Sequence, residues 1–244
     1  ALSFENVSLR YGGASENSLT NISFSAKRGE TIGIIGGTGS GKTTLVSLAA
    51  RFYDATGGRI EFMGYDIRDW DKKAIRKRVA VVMQKAQLFS GTVRSNLLYG
   101  NPNAGDGELW AALETAQAAD FVRRKDGMLD AEVEQGGRNF SGGQRQRLCV
   151  ARAIAAKSDM LILDDSSSAL DYATDAAMRR AIKNLPWKPT LLIVSQRTVS
   201  IEHADKILVL DDGALAGIGT HEKLLSVCPV YREIYDSASG KDGE

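Results

Sequence analysis

The chain of 244 residues is short of cysteine, of net charge and of long apolar runs, and each shortage excludes something. Its two cysteines, Cys149 and Cys228, stand in no metal-binding or redox spacing. That excludes a cysteine metal site, fits a reducing compartment, and leaves both as small buried apolar residues. A net charge of +1 leaves no electrostatic case for nucleic acid as a partner. No apolar run approaches the roughly 18 residues that a membrane span needs. No secretory leader is read at the start, because residues 2–9 alternate like a strand from the outset. That abrupt start reads as a domain cut from a longer polypeptide. There is no internal repeat. With 43% hydrophobic and 25% charged residues, the composition is globular, enough for one large domain or a domain with a lobe.

What is present begins at Gly36-Gly37-Thr38-Gly39-Ser40-Gly41-Lys42-Thr43-Thr44. Gly36, four residues, then Gly41-Lys42-Thr43 is the spacing of a phosphate-binding P-loop. The glycines let the backbone turn tightly, so that several N–H groups point at one anion. Lys42 adds a mobile charge for the β- and γ-phosphates, and Thr43 offers a hydroxyl to Mg²⁺. Residues 31–35 read as a short buried strand. Leu45, Leu48, Ala49 and Phe52 recur at helical spacing behind the loop, so a helix N-terminus aims its partial positive charge at the phosphates. A glycine-rich strand-to-helix turn with no ligand is the alternative.

Around this loop, strands are expected at 2–10 and 21–26, and the P-loop helix is expected to run until Gly57-Gly58 breaks it. Strands at 59–62 and 65–67 flank a Met63-Gly64 turn. A basic helix covers 74–78, and an apolar strand covers 79–83 and ends at Gln84. From 87 to 157 almost nothing reads as strand. Residues 108–119 put Leu109, Ala112, Leu113 and Ala116 on one helical face, and Ser141 starts a helix running to about 156. Strands return at 160–163, 191–194 and 207–210, and Asp211-Asp212-Gly213 turns into another at 214–218. Thr220 caps a last helix that Pro229 breaks, with one more turn over 231–235. The fold class expected is α/β. It has a P-loop core of mostly parallel sheet at 1–86 and 158–236, an antiparallel edge, an inserted helical lobe at 87–157 and a frayed tail at 237–244.

Two further stretches carry chemistry. Met160-Leu161-Ile162-Leu163-Asp164 is an apolar strand ending in an acid, and downstream of a P-loop such a strand projects one carboxylate toward Mg²⁺. Many buried strands also end in Asp without that role. In Phe140-Ser141-Gly142-Gly143-Gln144, Ser141 can cap a helix while the glycines leave N–H groups open to an anion. The alternative is an ordinary Ser-Gly-Gly helix start.

Together these motifs resemble the nucleotide-binding domain of ATP-binding cassette (ABC) transporters, and the resemblance covers essentially the whole chain. Ser141-Gly142-Gly143-Gln144 is similar to the ABC signature. The resemblance implies ATP and Mg²⁺ as ligands. It makes Tyr11 the adenine-stacking aromatic, with a half-buried strand-end tyrosine as the alternative. Gln84 matches the Q-loop, which contacts Mg²⁺ and couples to the transmembrane part. Ser168-Ala169-Leu170-Asp171 is similar to the D-loop that crosses the dimer interface, and Asp171 can equally be a helix cap. Phe89-Ser90-Gly91-Thr92-Val93 and Glu132-Val133 are similar to exporter-type domains. In that reading a transmembrane region precedes Ala1, and Arg51, Phe52 and Tyr53 lie near the surface that receives its coupling helices, unless they are an ordinary amphipathic helix end.

Two positions depart from the family's active members. Where the family carries the Glu that polarises the attacking water, this chain has Asp165. Where it carries the switch-loop His, this chain has Gln196, followed by Arg197. A free Asp is more acidic than a free Glu by only about 0.4 in pKa, less than about threefold as a base. It is also shorter by about 1.5 Å, and a misplacement of about 1 Å can cost on the order of 10²-fold in rate. Geometry therefore outweighs basicity. Gln196 can donate a hydrogen bond but cannot carry charge or shuttle a proton.

The resemblance thus implies a degenerate site in one half of a heterodimeric exporter, at the cytoplasmic face of a membrane. The signature completes the site of a partner chain that carries the family's Glu and His, and this segment itself is soluble. The alternatives are a sluggish homodimer and a soluble, non-transport ABC protein. A P-loop kinase is a third, which the signature argues against.

Overall fold

The computed structural model describes residues 1–165 and 169–238. In chain order its strands and helices are β1 (Leu2–Leu9), β2 (Leu19–Ala26), β3 (Thr31–Gly36), α1 (Lys42–Ala49), β4 (Gly57–Phe62), β5 (Tyr65–Asp66), α2 (Lys72–Arg78), β6 (Val79–Val82), β7 (Gly91–Thr92), α3 (Val93–Leu98), α4 (Asp106–Thr115), α5 (Ala119–Arg123), β8 (Glu132–Val133), α6 (Gly142–Ala155), β9 (Met160–Asp164), α7 (Tyr172–Lys183), β10 (Thr190–Val194), β11 (Lys206–Asp211), β12 (Ala214–Gly219), α8 (His221–Val227) and α9 (Pro229–Ala238). They fall into two compact units, Ala1–Val79 with Thr190–Glu244, and Ala80–Pro189.

In the first unit the unbroken apolar runs make strands covered on both faces, as parallel sheets require. β3 and β10 are buried at every residue. The order is β12-β11-β3-β10. β3 runs parallel to both neighbours, with Ile34 opposite Val194 and Gly36 opposite Leu210. β12 closes that end antiparallel to β11. A second sheet, β2-β1-β4-β5, is antiparallel throughout and alternates buried with exposed residues along β2. This is the mixed α/β architecture with an antiparallel edge that the sequence predicts. α1 buries Leu45, Val46, Leu48 and Ala49, and each leucine contributes about 1.5–3 kcal/mol.

In the second unit, β9 neighbours β6. α4 turns Leu109, Ala112 and Leu113 inward, as its period predicts, and packs with α3 against α6. α6 buries Leu148, Cys149, Val150 and Ile154. Burial pushes the Cys149 thiol up, and its Sγ donates to Gln87 O at 3.5 Å, so it behaves as a small buried residue. Cys228 is also buried.

The structure corrects three expectations. α1 stops at Ala49, well before Gly57-Gly58, which instead opens β4. The next turn adopts left-handed backbone at Arg51 (φ 52°), held by guanidinium bonds to Trp70 O and, at 3.0 Å, to Arg68 O. Phe52 therefore leaves the helical face and is 53% exposed, beside Tyr53 at 50%. The 87–157 stretch contains one short antiparallel pair, β7 with β8, where Gly91 faces Val133. Pro229 ends α8 but also begins the ten-residue α9, because a proline at the first helical position has no N–H to lose. Ser237 and Ala238 are the last residues of α9, and the rest of the expected tail lies outside the described residues.

Candidate functional site

The first unit carries the phosphate loop. Gly36 is the buried end of β3, and Gly37, Thr38 and Gly39 follow it at the surface. Ser40 is buried, and Gly41 (φ 97°) is the N-cap of α1. At this φ an L side chain is strained, and a Cβ would also press on Ser18 O at 3.0 Å, so the turn favours glycine. No side chain caps α1, so the turn that precedes it, not a capping hydroxyl or carboxylate, shapes its start. Lys42 Nζ donates to the loop carbonyls of Gly36 at 2.9 Å and Gly37 at 2.6 Å. Thr43, second in the helix, is exposed. Thr44 Oγ1 accepts from Tyr11 Oη at 3.3 Å. The half-buried Tyr11 ring stands edge-on to Tyr53, 5.1 Å between centroids.

A polar cleft of about 650 Å³ opens beside this loop, walled by residues 13–18 and by Lys42, Thr43 and Thr44, and bordered by Asp212 and Gly213. The hairpin turn is tied in by Gly213 N–H to Ser40 O at 3.3 Å and Thr20 N–H to Gly213 O at 2.8 Å.

Gln196 belongs to the same unit, just past the carboxyl end of β10 and hence beside the end of β3 that opens into the loop. In open α/β sheets ligands bind at this end of the strands. Buried Ser195 shapes the bend. Its Oγ accepts from Arg197 N–H at 2.9 Å and donates to Arg197 O at 3.1 Å, which turns Gln196 outward.

The second unit holds the remaining candidates. Asp164 ends β9 with 4% exposure. Asp165 follows in left-handed backbone (φ 46°), a conformation aspartate tolerates better than most residues. Its Oδ2 accepts from Gln84 Nε2 at 3.1 Å. Ser141 caps α6 in a reciprocal box. Its Oγ accepts from Gln144 N–H at 3.3 Å, while Gln144 Oε1 accepts from Ser141 N–H at 3.0 Å. Gly142 and Gly143 form the first turn. A Cβ at Gly143 would sit 2.9 Å from Ala169 O, whereas one at Gly142 would come no nearer than 3.9 Å, to Ala169 Cβ, with Arg145 Nη2 at 4.0 Å. Asp171 caps α7, accepting from Thr174 N–H at 2.9 Å and Thr174 Oγ1 at 2.8 Å. These bonds hold its carboxyl below the usual range. Ser168 lies outside the described residues.

The candidates thus form two groups. One gathers Tyr11, residues 36–44 and Gln196; the other gathers Gln84, Asp164 and Asp165, with Ser141–Gln144 and Asp171 at two helix starts. Neither Ser195's clamp nor the 13–18 wall is legible as a motif. Only the Ser-x-Arg spacing and a polar loop after Tyr11 mark them.

A buried parallel strand, a glycine loop and an uncapped helix carrying Lys-Thr define a P-loop nucleotide-binding protein. Residues 19–168 match the family described as ABC transporter, and the chain belongs to that family. It is 41% identical over 233 residues to an uncharacterized ABC transporter ATP-binding protein, YknU, of Bacillus subtilis, covering 96% of this chain and 40% of that protein. It is 41% identical over 224 residues to the beta-(1→2)glucan export ATP-binding/permease protein NdvA of Rhizobium johnstonii, covering 92% and 38%. A bacterial Atm1-family ABC exporter, solved with ATP bound, superposes with a TM-score of 0.92 at 33% identity, over 100% of this chain and 42% of that one. The chain therefore spans about two fifths of the length of these relatives. Among the described residues no helix is long and apolar enough to cross a membrane.

Proposed function

We propose that the chain is the ATP-binding domain of an ABC exporter, whose own site hydrolyses ATP slowly while its signature completes the site of a different partner chain. This is supported by the similarity to NdvA, a glucan export protein, and to the Atm1-family exporter solved with ATP bound. In this reading residues 36–44 hold the phosphates, the uncapped N-terminus of α1 supplies N–H donors and Lys42 neutralises charge. Tyr11 stacks on adenine. The Thr43 hydroxyl, the Asp164 carboxylate and the Gln84 amide oxygen are hard oxygen donors of the kind Mg²⁺ takes. Mg²⁺ carried in with ATP would neutralise charge on the β- and γ-oxygens. Asp165 is the shortened base, Gln196 stands in for the switch histidine, and Asp171 lies at the dimer interface. The helical segment 87–157 forms the lobe that carries Ser141–Gln144. The coupling helices of a transmembrane domain meet the domain at the cytoplasmic face of a membrane, near Arg51, Phe52 and Tyr53.

The observation that carries the slow-site reading is the pair Asp165 and Gln196 in a chain whose P-loop and signature are intact. A homodimer with slow hydrolysis is the rival. The experiment is phosphate release by the purified chain with saturating Mg-ATP. Asp165→Glu with Gln196→His should raise turnover at least tenfold, given the cost of misplacing a base by about 1 Å. Brisk turnover by the parent, unchanged by the pair, overturns the slow site.

A further inference from the structure

The cleft beside the phosphate loop extends beyond the loop residues. It runs from Lys42, Thr43 and Thr44 to the 13–18 wall, and two carboxylates line it, Glu16 and Asp212. Both residues are exposed. Neither can serve a triphosphate, since like charges repel. The neutral donor that a nucleotide presents next to its phosphates is the vicinal diol of its ribose, and one carboxylate can accept from both hydroxyls. The place of that diol follows from the order of groups along the wall. Thr44 Oγ1 is bonded to Tyr11, so base and phosphate positions meet at Thr44, and the 13–18 loop begins two residues beyond Tyr11. Asp212 adjoins Gly213, whose N–H is bonded to Ser40 O of the phosphate loop and whose carbonyl accepts from Thr20 N–H, so it belongs to the turn where the phosphate loop meets the end of the wall at Ser18.

We propose that Glu16 reads the sugar: its carboxylate accepts hydrogen bonds from the ribose 2′- and 3′-hydroxyls and makes the site selective for ribonucleoside over deoxyribonucleoside triphosphates. This rests on the reading that the chain binds ATP. A site that pairs with a hydroxyl discriminates against the analogue that lacks it, because its own polar group is then left short of a partner. Glu16 is open to water, so the discrimination is moderate, about tenfold, the lower end for a hydrogen bond to a charged group. Repulsion between Glu16 and the phosphates acts on both nucleotides alike and cancels in the ratio of their affinities.

The test is equilibrium titration of the 244-residue chain with Mg²⁺ and ATP, 2′-deoxyATP or 3′-deoxyATP, in the parent, Glu16→Ala and Asp212→Asn. The parent should prefer ATP about tenfold over either deoxy analogue. In Glu16→Ala the ratio should collapse to within about twofold of one, while Asp212→Asn keeps it. A parent ratio near one, a ratio unchanged in Glu16→Ala, or a collapse in Asp212→Asn each overturns the assignment to Glu16. If the parent binds none of the three, the ATP-binding reading falls first and the inference with it. Binding of all three with equal affinity leaves that reading standing and removes only the role of Glu16.

Discussion

Gln84 donates from Nε2 to Oδ2 of Asp165 at 3.1 Å, across 81 positions of sequence. The proposed Mg²⁺-side glutamine and the proposed base are thus direct partners, and Asp165 is held in left-handed backbone while it accepts that bond. The bond occupies one oxygen of the carboxylate proposed to polarise water and fixes where that carboxylate points.

The bond itself can be measured. A double-mutant cycle of Gln84→Ala and Asp165→Ala, read by denaturant unfolding, should return a coupling of about 0.5–1 kcal/mol, low in the range for hydrogen bonds because Gln84 is exposed. Strict additivity would show that the pair does not interact in solution.

Tyr11 offers a second test. Tyr11→Ala should weaken ATP binding by about 1–3 kcal/mol, the range for a base stacked on an aromatic side chain. Tyr11→Trp should largely preserve it. Tyr11→Phe separates stacking from the Thr44 bond and should bind nearly as the parent does. Equal ATP affinity in all four proteins leaves Tyr11 a strand-end packing residue beside Tyr53.

The fold beneath the loop has its own pH signature. Tyr231 of α9 is fully buried, its Oη 2.8 Å from His221 Nδ1, and α9 packs on β3 and on the 198–200 turn that follows Gln196. Burial, with Glu202 a lesser cause, pushes Tyr231 up to about 12, against about 10 in an unfolded chain. A raised pKa contributes stability that is complete below about 10 and lost as pH rises toward 12. Melting temperatures should fall more steeply between pH 10 and 12 in the parent than in Tyr231→Phe. At neutral pH that variant should cost about 0.5–1.5 kcal/mol for the lost bond. Parallel curves would place the titration elsewhere.

The P-loop, the apolar strands and the Ser141 cap were legible because each is local. Glycine spacing, unbroken apolar runs and a hydroxyl three residues before Gln144 act within one turn or strand. The end of α1 was not legible, since Arg51 is fixed by carbonyls 17 and 19 residues away. Nor was the Gln84–Asp165 bond, which depends on bringing distant segments together. The cleft wall at 13–18 carries no periodicity at all and is defined only by the loops that border it. Pro229 shows the reverse case: the same residue closes one helix and opens the next, and sequence spacing gave it only the first role.

Catalysis in trans is the central claim, and mixing two versions of this chain tests it directly. Gly143 is a poor site for blocking the signature, because any side chain there strikes Ala169 O. Gly142→Glu avoids that clash, puts an acid where a helix N-terminus favours it, and repels phosphate. One protein carries Asp165→Glu, Gln196→His and Gly142→Glu, with a repaired site and a blocked signature. The other is the parent, with a slow site and an open signature. Each alone should release phosphate slowly. An equimolar mixture at saturating Mg-ATP should exceed the mean of the two by at least about tenfold, because the parent's Ser141–Gln144 completes the repaired site, and donors aimed at developing charge contribute 10²–10³-fold. A mixture no faster than that mean would contradict the account.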